Sequence, residues 1–358
     1  LQICDNESGD HEYMKNNSTL CDINRTVQSA AMYCIWAALL LADSYAGAVA
    51  PPKLLDGDEQ RANSATENGT MNPLPDVSLG APLAKTAFIS GVNDYTECDS
   101  RQSPLSFAIN ASSAVADFLR GKGWTATVTN DSAVPWRHWS DTDLTSGWGK
   151  DHQNADATDL AYIYAHGARY DIDGDGKIDT YALIPGKKDL NFGSCAVAFG
   201  KKTIVKDGAT FNLNVANFGD TRNSIMFLDT CFSLQREDFL QGWHKNAYLG
   251  KNVVTFGFHG LTRDNSGHIT RLKSFLAAGW SSKAGVSWRD KMYVKYADPA
   301  FKEECPMVVV RAIDSSTADS IFLNTGLGTI GQNGSGAMIH KIYYKGGCEP
   351  VSGSKLPL

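Results

Sequence analysis

Basic charge is scarce in this chain. Lys and Arg number 33 against 39 Asp and Glu, for a formal net charge of −6, and only 20% of residues are charged. That balance leaves no electrostatic footprint for nucleic acid, and it bears on solubility rather than on fold. Long apolar runs are missing too. The longest, Ala30 to Ala42, stops at Asp43, short of the roughly 20 residues that a membrane-spanning helix needs. Polar sequence precedes it, so it does not read as a secretory leader. A helix buried against the main domain or a partner chain is expected there. No two of the 8 cysteines stand as C-x-x-C, which argues against a zinc ribbon. Internal repeats and low-complexity tracts are absent. The chain opens on Leu1 rather than Met and is read as a processed or trimmed form.

What is present fits a large folded domain with an extension. The 358 residues are 42% hydrophobic, ample for a buried core. Asn-x-Ser/Thr triplets occur at Asn6, Asn16, Asn17, Asn24, Asn68, Asn110, Asn130 and Asn333. Any one of them arises easily by chance. Together with cysteines near both ends, they point to a secreted, extracellular glycoprotein.

Residues 1–84 read as an irregular extension carrying Cys4, Cys21 and Cys34, most of the triplets, and a stretch rich in Pro, Gly, Asn and Asp from Ala50 to Leu83. A different rhythm starts at Lys85. Thr86–Ser90 reads as a buried strand. Ser103-Pro104 reads as a helix start, with Ser as cap; Leu105, Ile109, Ser112, Ala116 and Leu119 then share one face, and Gly121 or Gly123 stops the helix. Trp124–Val128 alternates like a strand. Strand, helix, strand is the rhythm of a parallel sheet. Short apolar runs at 160–164, 180–184, 224–228, 253–257, 307–311 and 338–342 continue it as strands. Residues 271–278 read as a helix, continued after a break by 288–296. The expected layout is an extension at 1–84, an α/β domain at 85–345 and a loose tail at 346–358, tied by Cys348.

Two strand ends carry reactive side chains. Asp159-Leu-Ala-Tyr-Ile-Tyr-Ala runs into His166-Gly167, and Asn223-Ser-Ile-Met-Phe-Leu runs into Asp229-Thr230-Cys231. Ligands of open parallel sheets bind at the carboxyl ends of strands, and neighbouring strands lie about 4.8 Å apart. Side-by-side placement would bring imidazole and thiol to one cleft, where a thiolate can attack a carbonyl and a histidine can move the proton. Backbone N–H groups of Gly167 and Cys231 are candidates for an oxyanion site, and Gly167 would let a substrate approach closely. His259-Gly260, at another strand end, competes as a second-line site residue; His244 beside Trp243 reads as a packed residue. If Cys231 is a free thiol, a second cysteine must be free or pair between chains, and Cys195 is the candidate.

The order apolar block, His-Gly, apolar block, then an acidic stretch ending in Cys resembles the caspase-like cysteine peptidases, the group of legumain, gingipains, separase and metacaspases. The resemblance covers about Thr86 to Tyr344. It implies an α/β fold with a parallel-dominated sheet flanked by helices, a peptide or protein substrate, Cys231 as nucleophile and His166 as the catalytic histidine, with Gly167 and Asp229 in the same site. A second likeness, carried by Trp136-Arg-His-Trp139, Asn217-Phe-Gly-Asp220, Gly242-Trp-His244 and Phe256-Gly-Phe-His259-Gly260 beside those blocks, is to an uncharacterised secreted family of that fold with no established activity.

Asp171-Ile-Asp173-Gly-Asp175-Gly-Lys177-Ile-Asp179 is the sharpest local motif. Carboxylates at alternate positions, Gly at the sixth and the backbone carbonyl of Lys177 at the seventh match a calcium loop. Asp179 ligates directly or through water. Ala182 stands where a bidentate Glu is usual, so that ligand must come from elsewhere. Structural Ca2+ just after His166-Gly167 would brace the cleft. Two functions stay open: a calcium-stabilised cysteine peptidase or its homologue, or a non-catalytic filament, coat or scaffold subunit that assembles through its N-terminal extension.

Overall fold

A computed structural model describes residues 84–96, 103–131, 136–141, 149–170, 180–184, 197–199, 203–206, 209–212, 215–237, 250–298, 302–333 and 338–358. The apolar run at 30–42 and the rest of the expected extension lie outside these residues. No helix among the described residues is long and apolar enough to cross a membrane.

The chain is α/β, with a mostly parallel central sheet flanked by helices. In order come β1 (Thr86–Gly91), α1 (Ala108–Gly121), β2 (Thr125–Asn130), β3 (Leu160–Tyr164), β4 (His166–Tyr170), β5 (Thr180–Ile184), β6 (Val197–Phe199), β7 (Thr203–Lys206), β8 (Ala209–Asn212), β9 (Val215–Ala216), β10 (Ile225–Asp229) and β11 (Val254–His259). Then follow α2 (Ser266–Gly279), α3 (Ala284–Met292), β12 (Val294–Lys295), β13 (Glu303–Ala312), α4 (Ser315–Asn324) and β14 (Ile339–Tyr344). The central sheet runs β2-β1-β3-β10-β11 in parallel, and β13 then joins β11 antiparallel. The far side of β13 is shared by β14, along Met307–Ala312, and by β12, at Glu303 and Glu304.

The continuous apolar runs become strands buried along their whole length in β3, β10 and β11, as a sheet covered on both faces requires. An aromatic cluster fixes β10 and β11 to the helices. Phe227 and Phe256 stack at 4.5 Å between centroids, and Phe275 of α2 and Trp288 of α3 close on both. The Trp288 indole N–H donates to the Gly257 carbonyl at 3.2 Å, satisfying the one polar atom it buries.

Four expectations are corrected. The run at 180–184 is β5, but it belongs to a separate four-stranded sheet, β4-β5-β6-β9, and pairs antiparallel with β4. The first helix begins at Ala108, not at Ser103. Its exposed N–H groups find partners from outside: Asp264 accepts from Phe107 N–H at 3.1 Å and Asn93 from Ile109 N–H at 3.2 Å, so no serine cap is needed. Its end is as expected, with Gly123 at φ 81° two residues past the last helical residue, Gly121. The segment 288–296 is helical only to Met292; Tyr293 turns extended, its hydroxyl donates to Glu303 at 2.8 Å, and the chain enters β12. The tail is packed rather than loose: Cys348 pairs with Cys305, Leu356 is buried, and the Val351 carbonyl accepts from Leu261 N–H.

Candidate active site

Strands β3 and β10 are neighbours in register, with Tyr164 opposite Asp229. The chain therefore leaves the same edge of the sheet at Ala165-His166 on one strand and Thr230-Cys231 on the next. A small cleft opens there, lined among others by His166, Cys231, Asp229, Ser103, Thr262 and Asp264. His166, Gly167, Cys231 and Asp229 are thus brought together.

His166 is 6% exposed and held at three points. Its backbone N–H donates to the Tyr95 hydroxyl at 2.8 Å, its ring packs against the Tyr95 ring at 4.6 Å, and its Nε2 lies 2.8 Å from the Ser103 carbonyl. A carbonyl only accepts, so Nε2 carries the proton, and in the neutral ring Nδ1 is the basic nitrogen.

Cys231 is in no disulfide, is 4% exposed, and has its Sγ 3.5 Å from the Thr262 carbonyl. The turn after it is tightly specified. Phe232 sits in the left-handed region at φ 58°, a conformation that costs a non-glycine residue about 1–2 kcal/mol. Its N–H donates to the Gly260 carbonyl at 2.7 Å. The Ser233 hydroxyl donates to Leu228 O at 2.8 Å and accepts from Phe258 N–H at 2.9 Å, tying the turn to β10 and β11. The second sheet contributes too: the Tyr181 hydroxyl on β5 bonds that of Thr230. Gly167 has a different reason from the one expected. A Cβ there would stand 2.2 Å from the Cys231 carbonyl oxygen, so the chain's own backbone already requires a glycine at this position.

Asp229 heads a buried network. Its Oδ2 accepts from the Tyr162 hydroxyl and from His268 Nε2, both at 2.9 Å, while Oδ1 has no partner. Burial is the largest single influence and lowers the affinity of His268 for a proton, but the Asp229 carboxylate together with Glu304 outweighs it and raises the imidazole pKa above its ordinary value. Burial, and then Asp229, drive the Tyr162 hydroxyl well up. On the cleft wall the Tyr164 hydroxyl donates to Asp264 at 3.0 Å.

His259 does not line this cleft. Its Nδ1 accepts from Arg236 N–H at 3.2 Å and its Nε2 donates to the Ser354 carbonyl at 2.7 Å. Both nitrogens are used and burial lowers the pKa, which makes it a neutral brace for the C-terminal tail. Sequence reasoning missed Tyr95, Ser103, Thr262 and His268. The contacts of Tyr95 and Ser103 with His166 span 71 and 63 residues, and no local pattern marks such partners. Only Asn265, the N-cap that accepts from His268 N–H, was a readable sign that a helix start delivers His268.

The calcium motif from Asp171 through Asp173, Asp175 and Lys177 to Asp179 lies outside the described residues, as do His244, Cys195 and Asn6, Asn16, Asn17, Asn24 and Asn68. The motif's two flanks are described: β4 and β5 are antiparallel, with Tyr170 opposite Thr180. Glu303, Cys305 and Cys348 gather possible metal-ligand atoms, but the two sulfurs are bonded to each other. Asn110 is exposed on α1. Asn130 Oδ1 accepts from Gly91 N–H and the Ser112 hydroxyl. Asn333 Nδ2 donates to the Asn252 and Arg311 carbonyls at 2.6 and 2.8 Å; a glycan on that nitrogen would break at least one bond, at odds with the expected modification.

In comparison with known proteins, the chain matches no protein-family model and no curated sequence.

Proposed function

We propose that the chain is a secreted cysteine peptidase or peptidase homologue of the caspase-like type, with Cys231 as nucleophile and His166 as its acid–base partner. One observation carries the reading: a thiol outside any disulfide and a tethered imidazole share one cleft at the carboxyl edge of two adjacent parallel strands. In this scheme His166 Nδ1 takes the thiol proton, the thiolate adds to a peptide carbonyl, and His166 returns the proton to the leaving amine. Water then cleaves the thioester and restores the thiol. Calcium bound by the motif at 171–179, which joins β4 to β5 in the chain, would brace the strand that begins at His166. Glycosylation and an extracellular site belong to the same proposal and rest on the Asn-x-Ser/Thr triplets and the cysteine usage.

A second reading, a non-catalytic homologue that serves in assembly, is favoured by the resting contacts of the pair. Cys231 is nearly covered and sits against the Thr262 carbonyl, and His166 Nε2 is engaged by Ser103.

Labelling of the native chain with a thiol-reactive peptide electrophile, with and without calcium, separates the two. The peptidase reading expects selective, pH-dependent labelling of Cys231 that slows on the order of a hundredfold in His166→Ala. A folded, calcium-loaded protein whose Cys231 stays unlabelled would leave only the scaffold.

A further inference from the structure

Carboxylates also gather at the opposite, amino-terminal edge of the central sheet. Asp141, Asp151 and Asp156 are 2%, 2% and 0% exposed, and Asp220 stands beside them at the surface. Asp156 is engaged: Oδ1 accepts from Gly219 N–H at 2.5 Å and Oδ2 from Thr221 N–H at 2.6 Å. Asp151 is not. Its Oδ1 accepts from His152 N–H at 2.7 Å, but its buried Oδ2 has no partner. The charges that act on Asp151 most strongly are the carboxylates of Asp141, Asp156 and Asp220. Ser140, fully buried, accepts from Asp151 N–H through its carbonyl at 3.2 Å, and its hydroxyl also lacks a partner.

Burying the Asp151 carboxylate with one oxygen unpartnered and other carboxylates close by is costly. Two chemistries relieve it. One is protonation: burial, then the neighbouring carboxylates, push the Asp151 carboxyl up to about 9. A neutral Asp151 could share its proton with a neighbouring carboxylate, but it leaves the other carboxylates crowded at the same edge and the buried Ser140 hydroxyl still without a partner. The other is a cation, which satisfies lone pairs and charge together.

We propose that this edge binds a divalent cation of the calcium class, anchored on Asp151 Oδ2, with Asp156, Asp220 and the Ser140 hydroxyl as further oxygen ligands. The set holds hard oxygens and neither thiolate nor imidazole, which selects Ca2+ or Mg2+ over zinc or copper. No three of these carboxylates yet offer oxygens all within 4.8 Å of one another, so the ion draws their segments together. An adaptable set of that kind suits calcium better than the strict octahedron of magnesium. Asp220 at the surface gives the ion its entry. The site is separate in sequence from the motif at 171–179 and lies at the other edge from the cleft.

Calcium titrated calorimetrically into the metal-stripped full-length chain, with the melting temperature read in calcium and in chelator, tests this. Asp173→Asn, in the loop motif, should leave one calcium-binding event and a calcium-dependent rise in melting temperature. Asp151→Asn should weaken that event on the order of tenfold or more, and Asp220→Asn, a surface change that leaves the fold intact, should weaken it as well. The proposal is overturned if both variants bind calcium as the unaltered chain does. It is equally overturned if Asp173→Asn shows neither calcium heat nor thermal shift, because Asp151 is then a buried neutral acid. Magnesium in place of calcium, if it binds as tightly, overturns the assignment of the ion.

Discussion

Asp159 and Asp229 stand at opposite ends of one pair of parallel strands, and their surroundings differ. Asp159, just before β3, is saturated. Arg222 grips both oxygens at 3.0 and 2.8 Å, and Thr86 adds its N–H at 2.8 Å. Asp229, at the end of β10, has one oxygen doubly bonded and the other bare. A saturated carboxylate fixes strands; it clamps β1, β3 and the segment entering β10 in register, and a ligand has nothing left to bind there. A half-satisfied one beside a thiol keeps free-energy capacity for something that enters. The two aspartates thus divide the work between architecture and chemistry.

The largest expected effect on stability comes from the saturated aspartate. Asp159→Ala leaves Arg222 and Thr86 N–H without their acceptor and should cost about 2–3 kcal/mol in urea unfolding, while the rate at which Cys231 is labelled in the folded protein stays the same. A changed labelling rate at equal folded fraction would break the comparison. Next in size is Gly167→Ala. Its Cβ would press on the Cys231 carbonyl, and relief by moving backbone should cost about 1–3 kcal/mol. Because the clash sits at the thiol, labelling of Cys231 should fall together with stability. Loss of stability with an unchanged labelling rate would mean that β4 yields and the turn at Cys231 does not.

The sheet was legible because strands buried on both faces must be continuous apolar runs. Leu160–Tyr164 and Ile225–Asp229 announce themselves, and with them the two residues at their ends. The site's inner partners were not legible. His268 looks like any polar residue in the first turn of a helix until α2 is folded against β10, and Ser103 contributes a carbonyl, which every residue has. Ser103-Pro104 carried a real cap signal, but tertiary acceptors at Asn93 and Asp264 took over that task and moved the helix start to Ala108. His259 carried the same His-Gly signature as His166. Only the tail, arriving from Ser354, distinguishes a brace from a site residue.

The smallest expected effect sharpens the carboxyl edge itself, where His268 and His259 should titrate with opposite sign. The folded pKa of His268 is raised by Asp229. Its stabilisation is therefore complete below the unfolded value of about 6.5 and is lost as pH rises through the raised folded value. His259 is lowered by burial, so its contribution is present above about 6.5 and is lost as pH falls from there toward the folded value. Urea unfolding of the unaltered chain, His268→Gln and His259→Gln between pH 5 and 9 reads both slopes by difference. The stability deficit of His268→Gln should shrink toward alkaline pH, and that of His259→Gln should shrink toward acid. Parallel deficits would show that the charge on Asp229 is not what raises the His268 pKa, and the hydrogen bond between them would then act as an ordinary buried contact.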